Sequence, residues 1–139
     1  MARLDKIHNA VKNALVKDGW TITHDPLIIQ FEDITVQADL AGERTIAAEM
    51  DGEKIAVEIK SFLRPSNISE FETALGQYRL YRRLLLKLEP ERPLFLAVSS
   101  VIFNRFFVKK AIQFVIKEEN VSLIVVDVGK EEVTQWIKN

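Results

Sequence analysis

The tightest constraint in this 139-residue chain is the stretch TIAAEMDGEKIAVEIK, residues 45–60, in which Asp51-Gly52 separates two alternating apolar runs. Asp-Gly in that setting is a strong two-residue hairpin signal, because both turn positions need backbone conformations that Asp and Gly tolerate. A two-residue loop pairs Met50 with Glu53 and, counting outward, Thr45 with Glu58. Strand side chains alternate, so Ile55, Val57 and Ile59 fall on one face while Ala56, Glu58 and Lys60 fall on the other. An acid and a base therefore share a face with small apolar residues.

The preceding turn decides whether Asp39 joins them. A three-residue Ala41-Gly42-Glu43 loop pairs Asp39 with Thr45 and sets Asp39, Thr45 and Glu58 in one row. A two-residue Gly42-Glu43 loop sends Asp39 to the opposite face. Both registers remain open. Glu49 shares the Glu58 face but sits near the other end, facing Lys54. Two carboxylates and a lysine on one strand face suit metal-assisted phosphodiester hydrolysis. Mg²⁺ takes oxygen ligands, usually one or two carboxylates with water and substrate phosphate. Such a metal lowers the pKa of a water nucleophile, and a neighbouring lysine orients that water or stabilises the transition state. A solvated hairpin edge carries similar charges, and Glu-x-Lys alone is a weak pattern.

The flanking segments outline a mixed sheet with helices packed on it, as one domain spanning residues 1–139. Leu4, Ile7, Val11, Ala14 and Leu15 recur at helical spacing, with Gly19 as the stop. Turns are expected at His24-Asp25-Pro26 and Glu32-Asp33. Ser69 and Glu72 are spaced as a capping box for a second helix, whose stripe is Phe71, Ala74, Leu75, Tyr78, Tyr81, Leu85 and Leu88. Pro90 and Pro93 bound its exit. Leu94–Ser99 and Val121–Val126 are apolar runs of the kind found in strands covered on both faces. Asn104–Glu118 has the pattern of a third helix, and the tail from Val133 to Ile137 fits either a strand or a helix turn. Gln77 interrupts the second helix's stripe, four residues before Tyr81, so its amide is expected to face the sheet.

Composition narrows the chemistry further. There is no cysteine, which removes disulfides, zinc fingers, iron–sulfur clusters and thiol catalysis. No apolar run reaches the ~18 residues a membrane helix needs, and with no export signal the cytoplasm is the expected location. Nineteen bases against twenty acids argue against bulk electrostatic coating of nucleic acid. That balance is uneven along the chain. Residues 25–59 hold nine acids and two bases, whereas residues 60–92 hold seven bases and four acids. Arg79, Arg82 and Arg83 of the second helix are candidate phosphate contacts or, more simply, a solvated helix face.

Taken together, Asp39, Glu58-Ile59-Lys60 and Gln77-Tyr78-Arg79-Leu80-Tyr81 resemble the PD-(D/E)xK nuclease superfamily and the Q-x-x-x-Y pattern of its RecB-like members. The segments ALVKDGWTITHDPL (14–27), KIAVEIKSF (54–62) and ALGQYRLY (74–81) resemble more closely the XisH family, the cyanobacterial excision-controlling factors of the fdxN element. That resemblance implies an α/β, restriction-endonuclease-like mixed β-sheet flanked by helices, and a part in DNA rearrangement during heterocyst differentiation. It implies Mg²⁺, with Mn²⁺ as a substitute, held by Asp39, Glu58 and the Ile59 carbonyl. Lys60 would act on the attacking water, Gln77 would position it, and Tyr81 would support it. Some superfamily members add an acid from the first helix, where this chain offers Asp5 and, on the inward stripe, His8, although a lone histidine there is more often a satisfied packing residue. The implied partners are DNA, a XisI-type small protein and a recombinase, with a homodimer as a further expectation since nucleases that cut both strands often pair. The superfamily also has inactive members, so a non-catalytic regulatory module is the alternative.

Overall fold

The computed structural model describes residues 2–36, 39–40 and 43–139; the side chains of residues 2–5, 39, 40 and 43 lie outside that description. The chain runs α1 (Ala2–Lys17), β1 (Thr21–His24), β2 (Ile29–Phe31), β3 (Ile34–Val36), β4 (Asp39–Leu40), β5 (Glu43–Met50), β6 (Glu53–Ile59) and α2 (Asn67–Leu88). It continues with β7 (Leu94–Ser99), α3 (Ser100–Ile102), a π-helical turn (Phe103–Phe107), α4 (Lys110–Glu118), β8 (Leu123–Asp127) and β9 (Glu132–Ile137). The main sheet has the order β1-β5-β6-β7-β8-β9, with β4 pairing β5, while β2 and β3 form a separate hairpin. β6, β7 and β8 are parallel neighbours, and the other pairs are antiparallel. This is a mixed α/β sheet flanked by helices.

The hairpin has the register that its turn dictates, from Met50 opposite Glu53 to Thr45 opposite Glu58. Strand alternation then sorts the interior into two layers. Ile46, Ala48, Ile55, Val57, Ile59, Phe95 and Ala97 meet Ile7, Val11, Ala14 and Leu15 of α1 on one face. On the other, Ala47, Ala56, Leu94, Leu96 and Val98 lie under Phe71, Ala74, Tyr78, Tyr81 and Leu85 of α2. Gly19 ends α1 at φ +100°, a left-handed conformation that favours glycine, while a Cβ there would meet only the flexible Met50 side chain, at 2.9 Å from Sδ.

Three local expectations are corrected, and one left open is settled. The cap of α2 is Ser66 rather than Ser69: its hydroxyl accepts from the Ser69 amide at 3.2 Å, and the helix starts one residue later, at Asn67. In place of the single helix expected from Asn104 to Glu118, the chain forms the π turn and then α4, with the short α3 ahead of them. The π turn brings Phe103, Phe106 and Phe107 inward together, and the extra residue it accommodates is what an even helical repeat hides. The tail is a strand, β9, pairing along β8. Leu88, expected on the buried stripe of α2, is exposed at the end of the helix.

Candidate functional site

Glu58 stands on the α2 face of β6, one residue before the strand ends, with Thr45 opposite on β5 and Leu96 opposite on β7. Lys60 prolongs the strand, its amide donating to the Ala97 carbonyl at 3.1 Å. Glu58 is 1% exposed and Lys60 7%. Glu and Lys are almost never buried so deeply without compensation, because desolvating a charge is costly. Ile59, between them, sends its side chain into the α1 layer, which leaves its carbonyl as the group it can offer.

The segment that carries Lys60 onward is fixed by aromatic packing. Phe62 has φ +53°, a left-handed conformation unfavourable for a bulky side chain. Its ring is held edge-on to Phe107 at 5.4 Å and tilted against Phe106 at 6.1 Å, while Phe71 of α2 packs on the same two rings. The π turn thus anchors the chain immediately after the Glu58-x-Lys60 strand end.

α2 closes the site from above. Tyr81 is buried, and its phenol is pushed up to about 12 by burial and, secondly, by the negative charge of Glu58. The two side chains therefore face each other. Gln77 lies one turn earlier; its Oε1 is buried and has no hydrogen-bond partner. The Thr45 hydroxyl, 2% exposed, is in the same condition. Thr45 was not among the expected site residues. The signal for it is its pairing with Glu58 in the hairpin register.

Asp39 pairs with Arg44, and Leu40 with Glu43. Neither expected loop gives this register, and Asp39 stands one position short of Thr45. Its carboxylate lies outside the described side chains, as does that of Asp5.

His8 belongs to a different group, in the α1 layer. Its Nε2 lies 3.1 Å from Asp25 Oδ1, Lys12 Nζ donates to Asp25 Oδ2 at 2.6 Å, and Arg44 Nη1 donates to Oδ1 at 3.4 Å. Burial by itself would raise the Asp25 pKa, but the Lys12 hydrogen bond and the His8 interactions outweigh it and hold the carboxyl below its ordinary value. Arg79 and Arg82 do not converge on Glu58 either. Arg82 donates to the carbonyls of Glu119 and Asn120 at 2.6 and 2.9 Å and lies 5.3 Å over the Tyr78 ring, and Arg79 pairs with Glu119 at 3.1 Å. Both tie α2 to the C-terminal end of α4. A cleft of about 810 Å³, lined by Trp20, Met50, Lys54, Phe95 and Trp136 among others, opens at the hairpin end of β6, away from Glu58.

Among the described residues no group of three or more His, Asp or Glu converges as a ready-made metal cage. Thr45, opposite Glu58, and Tyr81, within reach of its charge, both offer oxygens, the donor type that hard divalent cations take.

The chain is thus an α/β protein with an acid-x-lysine strand end buried beneath a helix. The XisH family model matches residues 1–134, and the chain belongs to the XisH family. Two solved structures are similar to it. One is a XisH family protein from Nostoc punctiforme PCC 73102, 47% identical, with a TM-score of 0.88, covering 96% of this chain and 100% of that one. The other is an fdxN element excision controlling factor protein from Anabaena variabilis, also 47% identical, with a TM-score of 0.89, covering 96% of this chain and 99% of that one. No curated protein matches the chain. No helix among the described residues is long and apolar enough to cross a membrane.

Proposed function

We propose that this chain is a divalent-cation-dependent endonuclease that cuts DNA in the excision of a genomic element; support for the excision role comes from its Anabaena variabilis relative, an fdxN element excision controlling factor protein. The observation that carries this reading is the burial of Glu58 and Lys60 together on the α2 face, with Tyr81 of the facing helix close enough to feel the Glu58 charge. A stable core gains nothing from two ionisable side chains at that depth; a hydrolytic site does.

In this reading Glu58, the Ile59 carbonyl and Asp39 hold Mg²⁺ or Mn²⁺. Bound there, the ion would supply an acidified water and neutralise charge developing on the phosphate. Lys60 holds the attacking water in line, Gln77 positions it, and Tyr81 keeps its proton and confines the Glu58 carboxylate. Target choice is shared with a XisI-type partner and a recombinase, in the cytoplasm, and pairing of two copies would allow both strands to be cut.

A second reading is favoured by one observation. Arg79 and Arg82, the helix-borne candidates for phosphate, are engaged with α4, which suits a regulatory module that binds its protein partner without cutting DNA. Purified protein incubated with plasmid and branched DNA, with Mg²⁺ or Mn²⁺ and with and without the partner, separates the two. The nuclease reading expects cleavage that Lys60→Ala lowers by roughly 10²-fold or more, the scale seen when a single transition-state donor is removed. Cleavage equal in Lys60→Ala, or none by the wild type in any combination, leaves the regulatory module.

A further inference from the structure

Thr45 is an expensive residue where it stands. Directly opposed residues of an antiparallel pair hold their Cβ atoms about 4.5–5.5 Å apart, so its side chain is a neighbour of Glu58. Valine has the same shape, suits a strand at least as well and buries no polar atom. Instead the chain carries a hydroxyl with no partner, although the backbone of the same residue is satisfied, its carbonyl accepting from the Leu27 amide at 2.6 Å. A buried polar group left unsatisfied destabilises the fold unless something outside the chain completes it.

A complementary atom comes from above. Gln77 Oε1 is also buried and without a partner, on the helical turn before Tyr81, the residue that meets Glu58. Oε1 can only accept a hydrogen bond, whereas the Thr45 hydroxyl can donate or accept. A water has two protons and two lone pairs, and it satisfies both atoms at once. Mg²⁺ and Mn²⁺ give up their waters reluctantly and are commonly held through them.

We propose that Thr45 and Gln77 hold one ordered water against Glu58, and that this water belongs to the hydration shell of the divalent cation that Glu58 receives. Thr45 is then a positioning residue of the site. The proposal rests on the cation-binding part of the function proposed above.

The test is a Mn²⁺ titration, followed by electron paramagnetic resonance of the free ion, on the full chain as wild type, Thr45→Val, Thr45→Ser and Gln77→Leu, with thermal melting of each. Thr45→Val should weaken binding about tenfold, as loss of an outer hydrogen-bonding partner does. Its melting temperature should be unchanged or higher. Thr45→Ser, which keeps the hydroxyl, should stay within about threefold of the wild type on the same scale. The double variant Thr45→Val/Gln77→Leu should lose less than the product of the single losses, since both act on one water. Thr45→Val binding as tightly as the wild type overturns the proposal and leaves the cation reading standing, as does an equal loss in Thr45→Ser. A wild type that binds no Mn²⁺ overturns the cation reading and this proposal with it.

Discussion

Two carboxylates, Asp25 half-buried and Glu58 buried, lie toward opposite faces of the same sheet, and their surroundings differ in kind. Asp25, on the α1 side, is gripped by Lys12, His8 and Arg44 within 3.4 Å, and its pKa is lowered as a result. Glu58, on the α2 side, is buried more deeply, opposite a threonine whose hydroxyl lacks a partner, and its charge adds to the burial that raises the Tyr81 pKa. The first group is complete within the chain and joins α1 to the end of β1 and the start of β5. The second has polar capacity to spare on its neighbours. On the proposed function, a carboxylate serving the fold and one serving a ligand differ in what the atoms around them still lack.

The largest effect should come from the packing that supports only one of the two. Phe107 is fully buried and touches Phe62, Phe71, Phe103 and Phe106. Phe107→Ala removes the ring that holds Phe62 in its left-handed conformation. It should cost about 3–5 kcal/mol, measured by urea unfolding, and should weaken Mn²⁺ binding through the displaced Lys60 segment. The nuclear magnetic resonance signals of His8 should not move. A shift of His8 with no loss of Mn²⁺ binding would mean that the aromatic cluster supports the Asp25 face instead.

A paired substitution sharpens the contrast at smaller cost. Asp25→Asn leaves Lys12, Arg44 and His8 without their shared anion and should lose about 1–3 kcal/mol of stability, with Mn²⁺ binding retained. The stability that a lowered carboxyl pKa contributes is fully present above the ordinary value of 3.8 and is lost as pH falls through the folded value. The acid limb of the wild-type stability curve should therefore flatten in Asp25→Asn. Glu58→Gln should do the reverse, abolishing Mn²⁺ binding with little change in melting temperature. If both substitutions move the same observable, the two carboxylates are not functionally distinct.

Much of this contrast was legible in the sequence, and the failures have physical causes. Asp51-Gly52 fixed the register of β5 and β6, and with it the faces of Thr45, Glu58 and Lys60, because a two-residue turn admits one pairing. Gln77 and Tyr81 were readable as inward-facing from the stripe they interrupt and extend. His8 was legible as an inward packing residue but not as a partner of Asp25, because helical periodicity shows that a residue points inward, not what lies beneath it. Only the paired position of Asp25, seventeen residues on, reveals its partner. Ser66 was missed as a cap because Ser69 and Glu72 offered the more familiar spacing, and the π turn was missed because its extra residue leaves no mark on a short apolar run. The Asp39 register turned on one residue of loop length, which neither Gly42 nor its neighbours specify.

The smallest predicted effect reads the Glu58 face directly. A phenol whose folded pKa is raised contributes stability that is fully present below its ordinary value of 10.0 and is lost as pH climbs toward about 12. Tyr78 is raised as well, by burial, against opposing hydrogen bonding from Ser122 and the charge of Arg82. With only two tyrosines in the chain, both should titrate late in the wild type when tyrosinate absorbance is followed. Glu58→Gln removes the second of the two causes acting on Tyr81 and leaves Tyr78 alone, so one of the two titrations should move toward the ordinary value. Tyr81→Phe should delete that same component. Mn²⁺ added to the wild type should imitate Glu58→Gln, since a cation at the carboxylate cancels the charge that opposes tyrosinate. Two tyrosines that titrate together at the ordinary value would remove Tyr81 from the neighbourhood of Glu58, and the distinction between the two faces would then rest on Thr45 and Gln77 alone.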